Sequence, residues 1–129
     1  MKSAHILNGD WKEGRSSIKT TLSIIVFEED ENYVMYCPAL DLSGYGKDEN
    51  EAYESFKVVL DEYFRYTTNK DTLKIDLKSL GWHVPKSKQK KASPPSMQHL
   101  LSTNDNFCRI FNDHAYKKID KSFDIPALA

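Results

Sequence analysis

The sequence predicts an α+β fold: a three- to four-stranded antiparallel sheet with one long helix on a face, followed by a short helical and β-strand C-terminal extension. Three observations lead there. Ile18 to Phe27 alternates, with Ile18, Thr20, Leu22, Ile24 and Val26 on one side and Lys19, Thr21 and Ser23 on the other, the period of a strand. A short charged segment, Glu28 to Asn32, joins it to the aromatic and β-branched run Tyr33 to Cys37, and so short a loop implies antiparallel pairing. Ala52, Phe56, Val59, Leu60, Tyr63 and Phe64 then recur at helical spacing.

Residues 1–16 carry little periodicity; Asn8-Gly9-Asp10 signals a turn, and Trp11 either packs on the core or sits on a frayed end. Strands are expected over 17–27, 32–37 and 40–43. Ile25 and Phe27 make the second face of the first strand apolar near its end, which asks for cover on both sides, such as a second subunit. Pro38 lacks the N–H that a ladder needs and closes the second strand. Gly44-Tyr45-Gly46 reads as a turn, because glycine reaches positive φ without steric cost. Asp48 is a good N-cap and Glu51, three residues on, completes a capping-box pattern, so the long helix is expected over 48–66. A second helix over about 71–80 would turn Leu73, Leu77 and Leu80 inward and stop at Gly81. Trp82-His83-Val84 is extended up to Pro85. Lys86 to Pro95, with four lysines and two prolines, reads as a linker or exposed arm. Beyond it, Met97 to Leu101 and Phe107 to Phe111 suit short helices, and Tyr116 to Ile125 a strand that returns to the sheet or pairs with a second subunit. The expected organisation is a domain over 1–85, a basic linker over 86–95, and an extension over 96–129.

Composition narrows the function classes. The chain has 129 residues, 40% hydrophobic and 29% charged, with a formal net charge of −1. That is an ordinary soluble surface around one modest core, and the charge does not favour a dedicated nucleic-acid binder. Two cysteines, Cys37 and Cys108, are too few for a disulfide framework and are expected reduced and buried. No apolar run approaches the roughly 18 residues that span a bilayer. The N-terminus lacks an apolar signal-peptide core, so a cytoplasmic protein is expected.

The chemistry-bearing residues give little purchase for catalysis. Asp41, Asp48 and Glu51 are the nearby acids for a two-metal site, joined at most by Glu28 or Glu29, and capping already explains two of them. Cys37 has no histidine near it in sequence to lower its pKa. His5, His83, His99 and His114 are scattered, and Ser43-Gly44-Tyr45-Gly46 lacks the length and lysine of a phosphate loop. No catalytic, metal or cofactor role is assigned, and no enzyme is expected. Tyr33, Tyr36, Tyr45 and Tyr53 are the more suggestive set, since a tyrosine is apolar along its body and wet at its tip. The partner surface is expected at Tyr36, Leu40, Asp41, Tyr45 and Tyr53.

The block Val26 to Phe64 resembles the HicB-like antitoxin family. The residues that carry the resemblance are the Tyr-rich strand, Cys37-Pro38-Ala39-Leu40-Asp41-Leu42, Ser43-Gly44-Tyr45-Gly46, and Glu51-Ala52 at the helix start. The resemblance covers about half the chain and implies a partial ribonuclease-H-like fold, pairing with a small RNA-cleaving HicA-type toxin by steric occlusion, and assembly into homodimers or larger oligomers. Family members often carry a C-terminal DNA-binding element; neither a ribbon–helix–helix nor a helix-turn-helix pattern is found here. The function expected first is therefore an antitoxin-like interaction module or an orphan relative. A dimeric nucleic-acid-binding regulator using Lys86, Lys88, Lys90 and Lys91, and then a metal-dependent hydrolase of ribonuclease-H type, are the alternatives.

Overall fold

The computed structural model describes residues 17–86 and 92–126. The elements run β1 (Ser17–Glu29), β2 (Asn32–Cys37), β3 (Leu42–Gly46), α1 (Glu49–Asn69), α2 (Leu73–Ser79), α3 (Met97–Thr103), α4 (Asp105–Asp113) and β4 (Tyr116–Pro126). The four strands form one antiparallel sheet in the order β3-β2-β1-β4. This is the α+β architecture read from the sequence, with β4 returning to the sheet beside β1 along eleven consecutive pairs, Ser17 opposite Pro126 to Phe27 opposite Tyr116. No helix among the described residues is long and apolar enough to cross a membrane. The expectations placed on residues 1–16, Trp11 among them, and on most of the lysine arm (87–91) lie outside the described residues.

β1 and β2 meet through a two-residue turn, Asp30-Glu31, with both residues at positive φ (51° and 66°). That geometry matches the right-handed twist of the flanking strands. It also shortens the expected loop, because β1 continues through Glu29.

The sheet has two different faces. On one, Leu22, Ile24, Val26, Met35 and Cys37 meet Ala52, Phe56, Leu60 and Phe64 of α1, and all are buried. On the other, Ile25, Phe27, Val34 and Tyr36 are buried as well. Their cover comes from within the chain: the Phe107 ring lies 6.4 Å from that of Tyr36, and His114 lies 4.8 Å from Phe27. The apolar second face noted in the sequence is therefore filled by α4. The remainder of that face, along β1 and β4, is polar and exposed. Lys19 pairs with Asp124, Thr21 with Ser122 and Ser23 with Asp120 across the two strands. Exposed pairs of this kind add little to stability, because water competes for the same groups.

Two segments depart from the sequence reading for clear physical reasons. The turn after β2 falls at residues 38–41, with Asp41 in the left-handed region (φ 55°), and Gly44-Tyr45-Gly46 belongs to strand β3. These glycines serve proximity instead of turning. A Cβ on Gly44 would stand 2.3 Å from the Phe56 backbone nitrogen, and one on Gly46 would stand 2.4 Å from that of Ala52. The long helix also outlasts its expected end at 66. Thr67 and Thr68 are buried, and their hydroxyls donate back to the carbonyls of Tyr63 and Phe64 (2.8 and 2.7 Å), which carries α1 to Asn69.

The chain on either side of residues 87–91 is tied together. His83 and Ser93 exchange both backbone hydrogen bonds at 2.9 Å, and Trp82 is buried with its indole N–H donating to the Ala39 carbonyl at 2.8 Å. Gly44→Ala should destabilise the fold by about 2 kcal/mol or more, since the new methyl group meets helix backbone that cannot move aside. The neighbouring Ser43→Ala should stay within about 0.5 kcal/mol. Urea denaturation of the two variants checks the contrast.

Candidate functional site

The side chains expected to face a partner are sorted by the β2–β3 hairpin. Residues opposite one another in antiparallel strands share a face, so Val34 and Tyr45, and Tyr36 and Ser43, stand together on the face away from α1. Tyr45 is 58% exposed there. Its backbone N–H turns outward and donates to the Ser55 hydroxyl at 3.2 Å, which fixes the strand beneath the ring.

Tyr36 and Leu40 are buried and shape the surface from below. The Tyr36 hydroxyl donates to Asp41 Oδ1 at 2.5 Å and accepts from the Asn104 side-chain amide at 2.9 Å. Asn104 is also the N-cap of α4, its carbonyl oxygen accepting from the Phe107 N–H at 3.0 Å. One phenol thus ties the β2–β3 turn to the start of α4 and aims an exposed carboxylate. Burial raises the Tyr36 pKa well above the usual phenol range, and its hydrogen bond to Asp41 adds to the shift.

Asp41 opens onto a cleft of about 570 Å³ between that turn, the end of α2 and the α3–α4 junction. Pro38, Lys78, Gly81, His99, Asn104 and Asp105 contribute to its lining. The α3–α4 contribution lies outside the sequence expectations. The Ser102-Thr103-Asn104-Asp105 stretch carries the capping chemistry that breaks one helix and starts another, and it was the available signal.

Tyr53 sits in the other layer. Its ring lies 6.4 Å from Phe123 on the α1 side of the sheet, with the Lys57 and Lys121 ammonium groups 4.8 and 5.0 Å from its centroid. Of the five residues, Tyr36, Leu40, Asp41 and Tyr45 therefore lie along the β2–β3 hairpin, with Tyr36 and Asp41 in direct contact, and Tyr53 stands apart on α1.

The acids considered for metal chemistry are dispersed. Asp48 caps α1 by accepting from the Glu51 N–H at 2.8 Å, and Glu51 accepts from the Lys47 N–H at 2.8 Å. Asp41 lies in a turn, not a strand. Among the described residues, no group of three or more His, Cys, Asp or Glu could hold a metal ion. Cys37 and Cys108 are free thiols; Cys37 is buried and Cys108 half-buried. Burial pushes the Cys37 thiol up to about 12, which keeps it protonated and a poor nucleophile near neutral pH.

The raised Tyr36 pKa has a defined effect on stability. Below about pH 10 the phenol is neutral in both folded and unfolded chains, and its contribution is intact. Above that, the unfolded chain releases the proton first, and stability falls by up to about 1.4 kcal/mol per pH unit for each such tyrosine. Tyr36→Phe should cost about 1–2 kcal/mol near neutrality, from the bonds lost at Asp41 and Asn104. It should also flatten the alkaline decline, which urea titrations between about pH 9 and 11 would read.

Compared with known proteins, the chain matches no family model, no curated protein and no solved structure.

Proposed function

We propose that this chain is a cytoplasmic protein-interaction module of antitoxin type, HicB-like or an orphan relative, that neutralises a small RNA-cleaving toxin by covering its active surface. The observation that carries the reading is that Tyr45 and Asp41 are both exposed on the β2–β3 hairpin. An exposed aromatic ring and an oriented carboxylate stand on strand and turn backbone held by α1 and α4. Rigid aromatic anchors and pre-oriented polar groups bind with little entropy left to lose. The residue resemblance over Val26 to Phe64 supplies the class of partner. The work is done by contact alone, and no step of bond chemistry is assigned to the chain.

Affinity capture from the native host, with nuclease treatment as a control, tests this. A small basic protein should co-purify in near-equal amount and resist nuclease. Tyr45→Ala and Asp41→Asn should each weaken its binding roughly 30-fold, the loss of about 2 kcal/mol typical of a binding hot spot. Tyr66→Ala, an exposed residue of α1 in the other layer, should leave binding unchanged. Recovery of the chain alone, or recovery that nuclease abolishes, would contradict the reading.

A further inference from the structure

The two edges of the sheet are not equivalent. In the two-residue turn Asp30-Glu31, the flanking Glu29 and Asn32 form a hydrogen-bonded pair. The alternation then runs across the sheet. Odd-numbered residues of β1 bond to β2, and even-numbered ones bond to β4. In β4 the odd-numbered residues face β1, leaving the N–H and C=O groups of Lys118, Asp120, Ser122 and Asp124 directed outward. In β3 the outward N–H groups fall at Ser43 and Tyr45, with Lys47 next in line. The bonds from Tyr45 to Ser55 and from Lys47 to Glu51 match this parity.

The β3 edge is therefore short and largely occupied by α1 side chains. The β4 edge is eleven residues long, and among the described residues no strand pairs with its outer side. Lysines usually guard such an edge. Here each β4 lysine is drawn to a partner on a face. Lys117 binds Glu49 at 2.8 Å, Lys118 binds Asp120 at 3.2 Å, and Lys121 lies over Tyr53.

We infer that β4 pairs antiparallel with β4 of a second copy of this chain, about a twofold axis at Lys121, continuing the sheet across two subunits. This inference stands apart from the toxin reading. A twofold axis normal to the sheet keeps the faces, so opposed residues must share parity. The register centred on Lys121 pairs residues 117–125 completely. It sets Lys118 against Asp124 twice and Asp120 against Ser122 twice, all four at positions whose backbone groups point outward. On the α1 side it sets Ile119 against Phe123. The register centred on Asp120 would oppose two carboxylates at the axis and replace the Lys118–Asp124 pairs with Lys118–Ser122. Asp124 already holds Lys19, so the ion pairs would extend into a cross-subunit ladder.

Sedimentation equilibrium of the full chain at micromolar concentration tests the inference, together with two variants. The wild-type chain should have twice the chain mass. Ser122→Pro removes an outward N–H while sparing the β1 ladder, and should weaken association at least 10-fold with an unchanged circular dichroism spectrum. Lys121→Cys places a thiol on the axis at a non-hydrogen-bonded pair, where Cα atoms approach to about 4.5 Å, within disulfide reach. Mild oxidation should link it into a dimer, whereas Lys118→Cys should not link. A monomeric wild-type chain, a dimer unaffected by Ser122→Pro, or failure of Lys121→Cys to cross-link would each overturn the inference.

Discussion

The close approach of α1 to β3 governs much of this molecule. Hydrogen at the Cα of Gly44 and Gly46 lets the helix backbone descend onto the strand, where any side chain would collide with Phe56 or Ala52. That descent places Ser55 and Glu51 within hydrogen-bonding distance of the strand's outer N–H groups at Tyr45 and Lys47. A single packing constraint therefore buries the apolar face of the helix, closes one edge of the sheet and fixes the backbone under an exposed tyrosine. It also explains why α1 begins where it does. The Asp48 cap and the Glu51 carboxylate together satisfy donors on both sides of the strand-to-helix corner.

The second constraint is the filling of the opposite face. Residues 96–126 join the same core as the N-terminal strands: α4 covers Tyr36 and Phe27 while β4 extends the sheet. The junction is polar at its centre, where Tyr36, Asp41 and Asn104 share two hydrogen bonds. A buried phenol with both partners in place specifies one arrangement of turn and helix, because losing either partner strands a buried polar atom. The apolar patch on that face therefore asks for no second subunit, and among the described residues the unpaired backbone groups of the sheet lie along the β4 edge.

Periodicity made most of the fold legible. β1, β2, α1 and β4 follow from alternation or helical spacing, and Asp48 was visible as a cap. Two features were not legible because they depend on contacts distant in sequence. A glycine pair reads equally as a turn or as a place where a helix approaches, and only the packing of α1 decides between them. Thr67 and Thr68 look like helix-ending residues until burial turns their hydroxyls onto the preceding carbonyls. The site was partly legible for the same reason. Asp41 and Tyr45 lie near each other in sequence and on one hairpin, whereas Asn104, 68 residues from Tyr36, carries no local mark of their association. Tyr53 was grouped with them by residue type, but the helix carries it to the other layer.

The asymmetry of the two sheet edges links the packing to the surfaces left for association. Amide hydrogen exchange, measured residue by residue across a concentration series, reports on it directly. The amides of Tyr45 and Lys47 should be protected at every concentration, and those of Lys118, Asp120, Ser122 and Asp124 should gain protection as concentration rises. Rapid exchange at Tyr45 and Lys47, or β4 protection that does not change with concentration, would contradict the account.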